Sequence, residues 1–282
     1  MNYRHAFHAG NFADVLKHAV LARIVDYMKR KEGAFRFIDT HAGVGLYDLS
    51  SEEAGRTGEW ESGIARLLAD PAPAPGAELL APYLEVVRAL NPEGLTLYPG
   101  SPLLARRLLR KQDRLTAIEL HPADAALLKA NFAGDFQVRV IELDGWLALG
   151  AHLPPKERRG LVLIDPPFEK PDEFETILKG ISKAHRRWPG GTYAIWYPIK
   201  KPDEVERFRK GLSALAIPNI LDIRLTTRAA TPEPRLHGCG MAVINPPYLL
   251  EEEMAALLPY LAGTLALDET AAASAVWLAR ER

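Results

Sequence analysis

The chain is predicted to fold as an α/β protein whose mostly parallel sheet is covered by helices on both faces. Three observations carry that expectation. Short apolar, β-rich runs recur at 35–39, 115–119, 138–143, 161–165, 192–197, 220–226 and 240–245. Segments of helical periodicity lie between them, at 102–111, 122–132, 172–187 and 202–215, and such alternation is the signature of βαβ units. The first four runs also deliver an acid at or just beyond their ends, where ligands bind in open α/β sheets. With 282 residues, 48% of them hydrophobic and 25% charged, one large domain can bury its core and still carry an inserted subdomain.

The first run ends Asp39-Thr40-His41-Ala42-Gly43-Val44-Gly45, a turn tight enough for backbone to approach a ligand. It is not a phosphate-binding GxGxxG, because Asp48 holds the third glycine position. Either a plain strand-ending turn or a nucleoside-binding turn fits it. The second run ends in Glu119, an acid able to grip two ribose hydroxyls. That acid usually follows the glycine loop by about 20 residues, so its late arrival predicts an insertion of roughly 50 residues. The insertion is placed at 48–98, between core segments 1–47 and 99–282. It contains helical patterns at 59–68 and 77–90 around the loop Pro71-Ala72-Pro73-Ala74-Pro75-Gly76, and reads as a helical cap over the ligand edge or as a distant decoration. The third run leads to Asp144-Gly145. Asp144 suits either an adenine amino group or the N-cap of a helix.

The fourth run, Leu161 to Ile164, ends in Asp165-Pro166-Pro167-Phe168. An amino nitrogen on a conjugated ring is a poor nucleophile because its lone pair is delocalised, so it needs acceptors that draw its N–H bonds out of the ring plane. Asp165 offers a carboxylate, and Pro166 a carbonyl whose direction is set by two restricted φ angles. Phe168 offers a face on which a planar base can stack. Methylation of an exocyclic amine is the chemistry this group suits. A second copy, Asn245-Pro246-Pro247-Tyr248, follows the seventh run. The fourth strand of a doubly wound sheet neighbours the first, which selects Asp165 and leaves Asn245 as structural or as a wall of the target pocket.

The formal net charge of -1 gives no global footprint for nucleic acid, so any RNA site is a local patch. Four basic clusters are candidates: Arg106-Arg107-Arg110-Lys111-Arg114, Lys156-Arg158-Arg159, Lys183-His185-Arg186-Arg187 and Lys200-Lys201. The single cysteine, Cys239, excludes an internal disulfide framework or thiolate zinc cluster. No apolar leader or membrane-length span is visible, which leads us to expect a cytoplasmic protein. His5, His8, Asp14 and His18 invite a metal reading, but their spacing matches no zinc signature and none is expected.

The order of motifs resembles that of S-adenosylmethionine-dependent N6-adenine methyltransferases with a seven-stranded, Rossmann-like class I sheet. More narrowly, Tyr3-Arg4-His5-Ala6-Phe7-His8-Ala9-Gly10-Asn11 with Asp14-Val15-Leu16-Lys17-His18 is similar to the J-type bacterial large-subunit rRNA adenine-N6 methyltransferases. So are Asp39 to Gly43, Tyr98 to Leu103, Glu119 to Pro122 and Trp196 to Pro198. The resemblance spans nearly the whole chain. It implies a monomeric enzyme that methylates N6 of a flipped-out adenine in 23S rRNA, naked or partly assembled. By matching positions, His18, His41, Ser101, Glu119, Asp144, Gly145 and Asp165 would contact S-adenosylmethionine, Asp165 would accept the departing proton, and Tyr3 would touch the rRNA. Phe168 stands where the family more often has tyrosine, and Tyr248 ends a motif that often carries tryptophan; both keep a ring. The competing functions are methylation of DNA adenine or protein glutamine, a nicotinamide-dependent dehydrogenase disfavoured by the missing glycine, and an RNA-binding protein without catalysis.

Overall fold

A computed structural model describes residues 5–280 of the chain. A single 3-10 turn (His5–Phe7) leads into α1 (Phe12–Lys29), which Asn11 caps by accepting the N–H groups of Ala13 and Asp14. The parallel half of the sheet is β1 (Arg36–Asp39), β4 (Arg114–Glu119), β5 (Val138–Glu142), β6 (Gly160–Ile164) and β7 (Thr192–Ile199). It is extended by the antiparallel strands β8 (Ile220–Thr226), β9 (Gly238–Ile244) and β10 (Ala272–Ala279). Their order is β10-β8-β9-β7-β6-β1-β4-β5.

All seven expected strands are present, and β10 makes the sheet eight-stranded. Ala272 to Ala279 reads poorly as a strand because alanine favours helix, yet pairing with β8 along nearly its whole length overrides that preference. Alternation along the central strands sorts side chains onto two faces. Phe37, Leu161, Leu163 and Ala194 join one core cluster with α1, α5 (Ser101–Leu108) and α10 (Leu250–Thr264). Ile38, Val162, Ile164 and Ile195 join the other, with α7 (Gly145–Ala151), α8 (Glu173–Arg187) and α9 (Pro202–Ala214).

Between β1 and α5 the chain forms a short ladder, β2 (Leu46–Asp48) against β3 (Leu97–Pro99). From it extend α2 (Glu52–Thr57), α3 (Ile64–Ala69) and α4 (Gly76–Leu90). Their buried residues Ile64, Leu67, Leu80 and Tyr83 belong to the same core cluster as α1. The helical pattern expected at 59–68 begins only at Ile64, because 59–63 turns back to bring Gly63 against Gly10.

The second proline motif lies at the edge of the sheet opposite Asp165. Because β9 runs antiparallel to β7, its C-terminal end meets the start of that strand. There Asn245, at φ 50°, donates through Nδ2 to the carbonyls of Pro189 and Gly191, and its own carbonyl accepts from Thr192 Oγ1. The motif is a structural turn, and its position excludes the alternative of a pocket wall.

Candidate active site

The C-terminal ends of β1, β4, β5 and β6 open on a cavity of about 680 Å³. His41, Ser101, Glu119, Asp144, Gly145, Asp165, Pro166 and Phe168 all line it. His18 does not, and Tyr3 lies outside the described residues. The direction of the strands explains the convergence, since each acid sits at the C-terminal end of a parallel strand or within two residues beyond it.

On the β4 and β5 side, the Glu119 carboxylate accepts the N–H groups of Gly43 and His121, both at 2.8 Å, while burial pushes its pKa up. The apolar side chains of Leu120 and Leu127, each more than half exposed, stand beside it on the cavity wall. Asp144 caps α7 by accepting Trp146 N–H at 2.8 Å and still faces the cavity. The next residue must be small: a Cβ on Gly145 would come within 2.3 Å of the Thr40 carbonyl oxygen and 3.0 Å of the His41 ring. Beneath them Asp39 is fully buried, accepting from Ser101 Oγ at 2.6 Å and His41 N–H at 3.3 Å. Burial, reinforced by Asp165, raises its pKa to about 7. His41 packs edge-on to Trp146, and burial lowers its pKa to about 4, so its ring is neutral.

At the end of β6, Asp165 Oδ2 lies 2.6 Å from Lys17 Nζ. Lys17 comes from α1 and reaches Asp14 Oδ1 at 2.7 Å as well. Burial alone would depress this ammonium, but the two carboxylates overcome it and hold its pKa well above the usual lysine range. Asp14 in turn accepts from Gly10 N–H, pairs with His5 Nε2 at 2.9 Å, and is held well below the carboxylate range against its own burial. Lys17 was passed over in the sequence reading. The available signal was a lysine three residues after an aspartate inside an otherwise apolar helix, where neither charge could be buried alone.

Phe168 adopts φ 51°, a left-handed backbone that an aromatic residue rarely takes, and its ring meets Phe174 at 5.2 Å and Trp196 at 5.7 Å edge-on. Such conformations persist where the surroundings enforce them, and they concentrate at functional sites.

His18 forms a buried chain behind the cavity. Tyr83 Oη lies 2.7 Å from Tyr98 Oη, and Tyr98 Oη lies 2.8 Å from His18 Nδ1. Burial lowers the His18 pKa to about 3, so its ring is neutral. Its Nε2 has no hydrogen-bond partner. His8 turns instead to Glu59 at 3.0 Å, so the histidines weighed as a metal cluster engage separate partners.

A sheet of this order, with acids delivered at the ends of β1, β4 and β6 around one crevice, defines a Rossmann-like methyltransferase fold. The family model described as "Ribosomal RNA large subunit methyltransferase D, RlmJ" matches residues 32–279, and the chain belongs to that family. It is 46% identical, over the full length of both chains, to the Haemophilus influenzae protein named "Ribosomal RNA large subunit methyltransferase J". With the Escherichia coli protein of the same name it shares 44%, again over both full lengths. A crystal structure of a Legionella pneumophila protein superposes with a TM-score of 0.87 at 33% identity, covering 95% of this chain and 98% of that one. The protein is thus a methyltransferase, and among the described residues no helix is long and apolar enough to cross a membrane.

Proposed function

We propose that the chain methylates the N6 amino group of an adenine in 23S rRNA, using S-adenosylmethionine and acting as a monomer on a flipped-out base. The observation that carries this reading is the Lys17–Asp165 pair, 2.6 Å apart, at the cavity end of β6 and followed by Pro166 and Phe168.

The residues present fit the donor. Glu119 keeps lone pairs free beyond its two backbone hydrogen bonds, which suits ribose hydroxyls. Leu120 and Leu127 suit an adenine face, and Asp144 its amino group. The close approach of the Gly145 backbone to Thr40 keeps the floor between Asp144 and His41 flat. When bound, S-adenosylmethionine supplies a methyl group already activated by positive charge on sulfur.

The chain's own residues then act on the amine. Asp165 and the Pro166 carbonyl accept its two N–H bonds and turn the nitrogen lone pair out of the ring plane, while Phe168 stacks on the base. With the methyl donor bound, Asp165 would accept the proton that N6 gives up on methylation. Lys17 holds that carboxylate in place and balances its charge. We assign Tyr3 to the rRNA and 48–98 to an inserted helical subdomain whose Glu59 fixes the His8 segment at the cavity mouth.

The test is labelled methyl transfer to total RNA lacking the modification, followed by nucleoside mass spectrometry. N6-methyladenosine in 23S rRNA that disappears with Asp165→Ala supports the reading. Label in DNA or protein, or full activity of Asp165→Ala, overturns it.

A further inference from the structure

Resting on the reading that rRNA is the substrate, we propose that the RNA backbone crosses the cavity mouth over the rim formed by the end of β7 and the β8–β9 connection, its phosphates taken by Lys170, Lys200 and Arg235.

The argument begins with where the basic clusters lie. Arg106, Arg110 and Arg114 stand on the side where β4 begins, and their guanidinium groups are committed. Arg106 binds Asp135, Arg110 binds Asp113 and the carbonyls of Lys29 and Lys31, and Arg114 binds the carbonyls of Lys111 and Asp113. Lys156, Arg158 and Arg159 precede β6 at that same far edge, where Arg159 holds the carbonyls of Gly33 and Met28. Lys183, Arg186 and Arg187 end α8, just before β7 starts. Lys200 and Lys201 alone follow the C-terminal end of a parallel strand, the edge that carries Asp165.

Register builds the rest of the rim. Ile199 pairs with Gly238, His237 N–H donates to the Ile199 carbonyl at 3.2 Å, and Thr227 N–H donates to the His237 carbonyl at 2.8 Å. These bonds draw the 227–237 connection alongside Lys200. Arg228 Nη2 donates to the Leu236 carbonyl at 3.0 Å and closes the neck of the loop, while Arg235 stays exposed on its outside. Lys170, Lys200 and Leu236 line the cavity itself.

Charge accounting separates these cations from the others. Lys201 is paired with Glu204, but among the described residues Lys170, Lys200 and Arg235 have no ion-pair partner within 4 Å. Glu169, the acid next to Lys170, is already engaged. Glu173 also lines the cavity near Lys170, but it is buried at 5% exposure, whereas the acids of the other part of the lining are Asp48, Glu53, Glu59, Glu119 and Asp124. That side suits a cationic methyl donor and repels phosphate, whereas the β7–β9 side attracts it. A base can enter the cavity only if its own phosphates rest on the rim, so the cations stand where the strand must pass.

The experiment compares two triple variants of the full chain, Lys170→Ala/Lys200→Ala/Arg235→Ala at the rim and Lys183→Ala/Arg186→Ala/Arg187→Ala at the opposite edge. Both remove three exposed positive charges. For the rim variant, RNA affinity by fluorescence anisotropy is expected to fall about tenfold or more. The slope of log K against log salt is expected to shrink by about 2, since each single-strand phosphate contact contributes about 0.7. KM for RNA rises accordingly, kcat at saturating RNA stays within about twofold, and S-adenosylhomocysteine binding is unchanged. The opposite-edge variant should match the unaltered protein in affinity and slope. Equal affinity and slope in the rim variant, or equal weakening in both variants, overturns the proposal while the unaltered protein still methylates rRNA. If the unaltered protein transfers no methyl group to rRNA, the underlying reading falls, and this inference with it.

Discussion

Replacing Lys17 by methionine removes the one cation that Asp14 and Asp165 share. The lysine side chain is 5% exposed and lies 2.7 Å and 2.6 Å from the two carboxylates. Breaking a buried pair by deleting one partner costs about 3–5 kcal/mol, because the remaining charge is left uncompensated. That is a large share of the roughly 5–15 kcal/mol that stabilises a typical domain. In the variant, Asp14 loses one of the partners that hold its carboxyl well below the ordinary range, so its folded-state pKa moves back up toward the unfolded value. The deficit is therefore complete at neutral and higher pH and shrinks as pH falls toward the carboxylate range. Urea denaturation at pH 8 and near pH 3, below the ordinary Asp value of 3.8, should show a loss of about 3–5 kcal/mol in the first case and clearly less in the second. Methyl transfer should fall at least about 100-fold, the usual effect of a misplaced reacting group, and Lys17→Arg should recover stability more than activity. A loss below about 1 kcal/mol at pH 8, the range of exposed pairs, or a loss independent of pH, would refute the idea that Lys17 holds the two acids together.

Gly145→Ala should weaken S-adenosylhomocysteine binding measured by calorimetry, because its Cβ meets the Thr40 carbonyl at 2.3 Å and must push α7 away from the β1 turn; unchanged binding would rule this out. Tyr98→Phe removes the hydroxyl between Tyr83 and His18 and leaves buried polar groups unpaired, so thermal unfolding should report a loss of about 1–3 kcal/mol. Asp39 has a folded-state pKa of about 7 against an ordinary 3.8, so the folded chain holds a proton that the unfolded chain releases. Stability is thereby lost as pH rises from about 4 to about 7, by at most about 1.4 kcal/mol per pH unit, and levels off above. Asp39→Asn should flatten that slope in urea midpoints taken across the range, and an unchanged slope would show that Asp39 ionises freely in the fold.

Much of this architecture was legible because the central strands are buried on both faces and therefore read as unbroken apolar runs, as in Leu161 to Ile164. The acids at their ends stood out by contrast. What escaped reading depends on contacts distant in sequence. Lys17 acquires meaning only when Asp165 comes within reach across the fold. The strand β10 is alanine-rich and half-exposed, and only its partner β8 makes it a strand. The two proline motifs were nearly identical as text, and the antiparallel direction of β9 separates them. The basic clusters also looked equivalent in sequence, yet three of the four belong to the edge away from the cavity.

One feature of the topology accounts for both halves of the site. From β1 the chain proceeds to β4 and β5 on one side, then returns to β6 and β7 on the other, so the order reverses between β1 and β6. A crevice opens where the connecting segments diverge at such a reversal, and ligands bind there. Asp39 pairs in register with Leu163, which puts the last residue of β1 beside the strand that delivers Asp165. Residues carried to the left of the reversal, Glu119 and Asp144, are acidic. Residues carried to its right include Asp165, Glu169 and Glu173 but also the exposed cations Lys170, Lys200 and Arg235. On the proposed reading, a donor bearing positive charge and a substrate bearing negative charge would approach from opposite sides of one opening and meet over the carboxylate that Lys17 holds.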